Sequence, residues 1–457
     1  MIRIFRHYIS PIAVTILAGD LTVLLASAGV SYWWMEWTGD GLFWPKIVAL
    51  ASITILLFYL GDLYNFQLQW GWGELALRLG AASAIAAVLL AAIGYALPPL
   101  RFGRMAFFTI TTASTLGLMI FREVSRHLIS HQTLQKRVLV LGTDLADVVL
   151  SWEGYSGALP FRVIGFLDDD PTAQDNLLPG YDLLGNVKEL LSVVEEHHPD
   201  ILLVALTNMR GTLPISDILE CRFRGVRVEE WTSFFEKLTG RILVNSLRPA
   251  WLVFSDGAVN TRLTDTIRRI LDVVLSLTGL VLSIPILGIA ALGIKLDSAG
   301  PILFRQERVG KDGRGFMLYK LRSMRVDAEQ ATGPVWASEA DPRVTRVGRV
   351  LRQLRLDEIP QMFNVLIGNM SFIGPRPERP VFVDELKEQL PFYVLRFAVK
   401  PGITGWAQVM YRYGSTVEDA LEKLQYDLYY VKNMSIFLDF LILLKSVQVV
   451  LLGRGAR

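Results

Sequence analysis

The first 130 residues hold four apolar runs, at 11–35, 43–66, 75–97 and 104–121, the last extending toward 128. Each approaches the ~20 residues that an α-helix needs to cross a bilayer. No other feature constrains the fold as much. It predicts a membrane protein with a four-helix transmembrane bundle over residues 1–130. Trp33, Trp34, Trp37, Trp44, Trp70 and Trp72 stand at the ends of the runs, as in an interfacial aromatic belt. Asp20 and Asp62 are the acidic exceptions. Charge inside a membrane can mark function, but an interhelical polar contact or a helix end is the preferred reading of both. Arg3, Arg6 and His7 precede the bundle, and Arg122, Arg126, His127, Lys136 and Arg137 follow or close it. Glu36 to Leu42 carries acid and no base. Basic flanks face the cytoplasm, so both ends of the bundle are expected there, although Arg101 and Arg104 run against this. The first apolar run is too long for a cleavable signal peptide and lacks a small-residue cleavage site.

A length of 457 residues suggests about three domains. The net charge of +2 gives no global field that would argue for nucleic acid as a partner. A single cysteine, Cys221, excludes an intramolecular disulfide and a cysteine metal cluster, and five scattered histidines argue against zinc. From about 137 the pattern changes. Val138–Gly142, Val163–Leu167, Ile201–Ala205 and Gly225–Val228 read as strands, and Val187–His197 as a helix. This alternation implies a Rossmann-like α/β domain with a parallel sheet, assigned to residues 131–255. A dinucleotide fingerprint needs three glycines after the first strand. Here Gly142 is followed by Thr143-Asp144, so a regulatory or dimerising module is preferred, and a homodimer is a candidate assembly.

Ile270 to Ile294 is again apolar, but Arg262, Arg268 and Arg269 precede it and Lys295 follows. Basic residues at both ends favour one side of the membrane for both. Pro285 removes a helix hydrogen bond, and Ser283 can compensate the freed backbone group. The expectation is a bent, re-entrant helix over about 267–295, against the alternative of a fifth full span.

The region beyond is basic. Between Arg305 and Arg355 there are 12 basic and 6 acidic residues. Phe304–Arg314 reads as a hairpin, followed by a strand to Leu321 that carries Lys320 and leads into Arg322. Arg346, Arg349, Arg352 and Arg355 recur every three residues, near one face of a helix. The pair Asp357-Glu358 follows, then Pro360, a residue favoured at the start of a helix. A solvated acidic pair is the bland reading. Beside arginines the pair is expected to stay ionised, suited to hold a divalent cation or to act as a nucleophile. Gly374–Glu378 and Lys400–Trp406 are tight turns carrying Arg376 and Lys400. Residues 417–452 read as helical, with an apolar second half suited to the membrane surface.

Three motifs, FRQERVGKDGRGFMLYKLRSM, LRLDEIPQMFNVLIGNMSFIGPRPE and KPGITGWAQV, carry a resemblance. With the four spans and the α/β region before them, the chain resembles the large bacterial form of the monotopic polyprenyl-phosphate phosphoglycosyl transferases. The family's third motif usually begins with arginine; here Lys400 stands there. Its membrane helix breaks at adjacent serine and proline; here Ile284 separates Ser283 from Pro285. The resemblance implies a C-terminal α+β catalytic domain over 262–457, with UDP-hexose and undecaprenyl phosphate as substrates and the bilayer as partner. It implies Asp357 as nucleophile, releasing UMP, with Glu358 as a Mg²⁺ ligand or base. Lys320, Arg322, Arg352, Arg355, Arg376 and Lys400 would bind substrate phosphates, at the cytoplasmic face of a bacterial inner membrane. UDP-glucose is the first expectation and UDP-galactose the second. An inactive membrane scaffold of polysaccharide assembly is the reading from another class.

Overall fold

The computed structural model describes residues 2–4, 7–9, 11–34, 43–64, 71–130, 135–143, 161–170, 177, 181–206, 213–244, 261–328, 333, 341–411, 414 and 416–451. Trp37, Trp70, the acidic loop from Glu36 to Leu42 and Asp144 lie outside them. Two short strands, β1 (Ile2–Ile4) and β2 (His7–Ile9), pair at the N-terminus. Two compact units form. One runs from residue 9 to 234 and includes residues 1–2; the other starts at 235 and takes in residues 3–8.

The first unit begins with the expected four apolar helices: α1 (Pro11–Trp34), α2 (Phe43–Leu60), α3 (Trp72–Ala96) and α4 (Arg104–Ser130). At 18 residues α2 is the shortest, yet it still rises about 27 Å. Leu24, Phe58, Leu79 and Leu118 form part of their common core, while Leu77, Val88, Phe108 and Ile120 stay exposed, as lipid-facing residues require. Asp20 makes a buried pair with Arg122 of α4 at 2.6 Å and accepts from the Tyr64 hydroxyl at 2.8 Å. Arg122 also donates to Leu63 O at 2.8 Å, just beyond the end of α2. Asp20 is thus an interhelical contact, and Asp62, at φ +61°, lies in the turn after α2.

In the α/β region, β3 (Lys136–Leu141), β4 (Phe161–Leu167), β5 (Leu183–Gly185), β6 (Ile201–Val204) and β7 (Arg227–Glu230) form one sheet. Its order is β5-β4-β3-β6-β7 and every pairing is parallel. The helices α5 (Leu190–His197) and α6 (Ile215–Phe223) supply Val193, Val194 and Cys221 to a core with Leu139, Leu141 and Leu202. The strand order reverses between β3 and β6, where such folds bind ligands. There Asp168 accepts from the Thr143 amide and hydroxyl, both at 2.7 Å, and from the Asp170 amide at 3.0 Å. Both carboxylate oxygens are therefore engaged within the protein.

The second unit is laid along one long helix, α7 (Arg262–Asp297). Thr261 caps it, accepting from Thr264 N. Its 36 residues are continuous through Ser283 and Pro285, giving a rise of about 54 Å. One face buries Asp272, Ser276, Ala290 and Ile294; the other exposes Leu282, Ile284, Ile289, Leu292 and Leu296. The elements beyond it include β8 (Leu303–Val309), β9 (Gly315–Leu321), α8 (Arg346–Gln353), α9 (Gln361–Ile367), β10 (Ser371–Ile373), α10 (Pro380–Gln389), β11 (Gly402–Thr404), α11 (Val417–Asn433) and α12 (Ile436–Leu451). β8 and β9 form the expected hairpin, and β10 pairs with β11 in parallel.

The protein ties α7 down at both ends. Near its start, Arg268 pairs with Asp439 of α12 at 2.7 Å, and Arg269 donates to Val365 O and Leu366 O at 2.6 Å. Asp272 accepts from Ser371 Oγ at 3.0 Å and Phe372 N at 2.8 Å. Near its end, Ala290 and Ile294 pack with Leu321 and Leu351, and Asp297 accepts from Val347 N at 3.0 Å. Residues before and after α7 share one core: Ile242 and Val244 cluster with Leu424, Leu428 and Tyr429.

Candidate active site

The site is built where α8 stops. Thr345 caps that helix by accepting from Gly348 N at 3.0 Å. The helix ends at Gln353, and Arg355 adopts φ +54°, a left-handed conformation that is uncommon for a residue with a Cβ. The reversal throws the chain into a short 3₁₀ turn, Leu356–Glu358, before Pro360 caps α9. The arginines therefore do not share one helical face. Arg346 and Arg349 remain exposed. Arg352 donates to Ser323 Oγ at 2.9 Å, and Arg355 leaves the helix and turns to Glu358.

Glu358 is buried among three cations: Arg376 at 2.9 Å, Lys320 at 3.2 Å and Arg355 at 3.6 Å. Burial opposes its charge, but Lys320, Arg376 and Arg355 outweigh burial and hold its carboxyl far below the usual range. Asp357 is equally buried, at 8% exposure. Its carboxylate accepts no hydrogen bond among the described residues. Burial pushes its pKa up, Glu358 adds to this, and Lys320, Arg352 and Arg376 pull the other way. The cations favour the expected ionised form most strongly at Glu358, while burial works against it at Asp357. The cations converge on Glu358, so its neighbour keeps more of the desolvation penalty. Divergent environments of this kind assign different roles to two adjacent carboxyls.

Two scaffolding interactions carried no sequence signal. Asn364 of α9, fully buried, accepts from Tyr319 N at 3.1 Å and donates to Met317 O at 2.7 Å, pinning α9 to the strand that presents Lys320. Arg396 is buried against Asp427 at 2.7 Å and donates to the Arg376 carbonyl at 3.0 Å. The turn carrying Arg376 is also held by Gly374 N to Thr404 O and Gly402 N to Pro375 O, both 2.9 Å. A Cβ on Gly374 would overlap Lys400 O, so glycine is required for that approach.

Of the six phosphate-binding candidates, Lys320, Arg355 and Arg376 meet at the dyad, and Arg352 stands beside it. Arg322 is elsewhere: it donates to Ala299 O at 2.6 Å and Ser298 O at 2.8 Å, closing the C-terminal end of α7. Lys400 lies beside Gly368 with Arg269, at the opposite end of α9, about 10 Å along its axis. Burial, Arg269 and Lys311 depress its ammonium pKa. Ser283 and Pro285 stay within α7 and have no described contact with the dyad.

Among the described residues no group of three or more acidic, histidine or cysteine side chains converges on a point. Glu358 is already matched by three cations. A dyad carboxylate can offer a divalent cation such as Mg²⁺ one oxygen, the number of protein ligands that ion commonly takes.

The family profile described as bacterial sugar transferase matches residues 263–453, and one described as a CoA-binding domain matches residues 60–224. An Aeromonas hydrophila UDP-N-acetylgalactosamine-undecaprenyl-phosphate N-acetylgalactosaminephosphotransferase is 42% identical over 240 residues, 52% of this chain and 56% of that protein. An undecaprenyl-phosphate glucose phosphotransferase of Komagataeibacter xylinus is 31% identical over 394 residues, covering 80% of this chain and 72% of that one. The Escherichia coli (strain K12) UDP-glucose:undecaprenyl-phosphate glucose-1-phosphate transferase is 30% identical over 468 residues, covering 95% and 92%. Since the likeness to the last two covers 80% and 95% of this chain and most of each relative, the chain belongs to the bacterial sugar transferase family.

Proposed function

We propose that this protein transfers a hexose 1-phosphate from a UDP-hexose to undecaprenyl phosphate. The observation that carries this is the unengaged Asp357 carboxylate, buried beside a Glu358 fixed by three cations. An Asp357 oxygen attacks the phosphorus that bears the sugar. The bond from that phosphorus to the oxygen bridging to UMP breaks, and UMP leaves. The lipid phosphate then attacks the same phosphorus, giving the lipid diphosphate sugar and restoring the carboxylate. Desolvation makes Asp357 the more basic and so the better nucleophile. Lys320, Arg355 and Arg376 hold oxygens of the diphosphate, and Glu358 keeps these cations in register. Such positioning and charge neutralisation are most of what phosphoryl transfer requires. Mg²⁺, when bound with substrate, adds charge neutralisation at the diphosphate. Relatives aligned along most of the chain are named for glucose, and one matching 240 residues for N-acetylgalactosamine. UDP-glucose is therefore the first substrate to test. Membranes containing the protein are expected to release UMP from one member of a UDP-glucose, UDP-galactose and UDP-N-acetylgalactosamine panel, dependent on undecaprenyl phosphate. No release from any of them removes the reading.

The catalytic unit is placed on the cytoplasmic face, with α7 dipping into the membrane without crossing it. What supports this reading is that both ends of α7 are bonded to one body and that residues on either side of it share a core. A cysteine placed after Arg457 is expected to resist impermeant maleimide in intact cells and to react after permeabilisation. Labelling in intact cells would establish a fifth span.

A further inference from the structure

The catalytic unit contains a piece of chain from the far end of the sequence. Residues 3–8 belong to it, although the four apolar helices lie between them and residue 235. The contact is made by His7 on β2. Its Nδ1 lies 2.9 Å from the hydroxyl of Tyr429, a residue 422 positions away and fully buried. The imidazole also meets Trp406 edge-on, with centroids 5.6 Å apart, and approaches Phe437 at 6.4 Å. Trp406 is stacked on Tyr429 at 6.0 Å and donates from its indole nitrogen to Gly240 O at 2.7 Å. His7 thus completes a cage in which Trp406 is held on three sides.

Trp406 leads back to the dyad in short steps. It follows Gly405 directly, and a Cβ on Gly405 would overlap the Gly374 carbonyl. β11, ending at Thr404, is bonded to Gly374 and Pro375. Arg376 comes next, and its guanidinium reaches Glu358. Whatever fixes Trp406 therefore fixes the two turns from which Arg376 is aimed.

We propose that His7 is a positioning residue: the segment before the first membrane helix docks on the catalytic unit through Trp406 and Tyr429, and holds the turn that presents Arg376. The side chains around it are Tyr429 of α11, Trp406 of the short helix Trp406–Met410, and Phe437 and Lys445 of α12. Among these Lys445 is the charged group, and it is cationic. Burial, reinforced by Lys445, lowers the imidazole to about 4, so the docked ring is neutral at working pH. The effect on turnover rests on the proposed transferase activity; the docking does not, and the test separates them.

His7→Ala, His7→Gln and Tyr429→Phe would be compared with wild type as full-length protein in detergent or nanodiscs. Hydrogen exchange over residues 402–410 is the readout independent of activity. His7→Ala is expected to speed exchange there and to lower kcat by roughly 10- to 100-fold, the scale of a small misplacement of catalytic groups. KM should change less. His7→Gln retains a hydrogen-bonding side chain and should restore part of both. Tyr429→Phe keeps the ring and should resemble His7→Ala in a milder form. Unchanged exchange at 402–410 in His7→Ala overturns the docking. Faster exchange with full kcat overturns the positioning role while leaving the docking in place. Faster exchange in a protein with no turnover even in wild type would instead fault the proposed reaction. A variant that misfolds, shown by exchange rising throughout residues 262–451, refers the decision to Tyr429→Phe, whose unchanged exchange and kcat would also overturn the proposal.

Discussion

Asp357→Asn is expected to lower UMP release from the preferred UDP-hexose by roughly 10⁴-fold or more, the scale of removing an attacking group. The amide keeps the volume of the carboxylate but carries no negative charge, and the cations gathered on Glu358 are untouched. Substrate binding should therefore survive better than turnover. Wild type quenched with UDP-hexose alone should show the sugar phosphate on the peptide containing residue 357 by mass spectrometry, and the variant should not. The same assignment sets the acid limb of activity. Only the ionised carboxylate attacks, and burial raises the Asp357 pKa above its ordinary 3.8. Turnover should accordingly begin to fall, as pH is lowered, at a higher pH than an exposed aspartate would give. Glu358, held ionised, should add no second step in that range. Wild-type turnover in Asp357→Asn would end the nucleophile assignment.

The second large effect concerns the anchor. Asp20→Ala leaves Arg122 buried, at 4% exposure, without its counter-ion. Breaking one partner of a buried pair typically costs about 3–5 kcal/mol. The remaining hydrogen bond to Leu63 O and the Tyr64 ring at 4.8 Å offset part of this. Thermal unfolding in detergent should therefore show a clear drop in the midpoint of the transition assigned to the bundle. Replacing both residues, as Asp20→Leu with Arg122→Met, should recover most of it, because no uncompensated charge remains. Equal stability of Asp20→Ala and wild type would show that the pair is not carrying the packing of α1 against α4.

Elements governed by local periodicity were legible. The four apolar helices, the alternating strands and helices of the sheet, the β8–β9 hairpin and the helix starting near Pro360 all follow from residue patterns repeating within one segment. The dyad was also legible, because Asp357, Glu358 and the basic residues around it are close in sequence or in recognisable motifs. The distribution of the cations was not. A three-residue arginine repeat placed Arg346, Arg349, Arg352 and Arg355 on one helix face. The left-handed Arg355 ends the helix early and sends that side chain to Glu358. Arg322 reads like a phosphate ligand from its motif, yet it is aimed at the carbonyls that end α7. Asn364, Arg396 and Asp427 had no pattern to reveal them, since the first two act on backbone groups of distant segments and Asp427 acts on the Arg396 side chain.

The order of residues alone settled that this chain has an apolar four-helix anchor, a parallel-sheet α/β region and an acidic pair set among basic residues, because periodicity, hydropathy and charge spacing are local properties. Which of two adjacent acids is locked by cations and which accepts no hydrogen bond among the described residues, where each arginine points, and that His7 joins a unit beginning more than two hundred residues later all waited on folding. These depend on desolvation and on distances across segments, and neither exists until the chain has closed on itself.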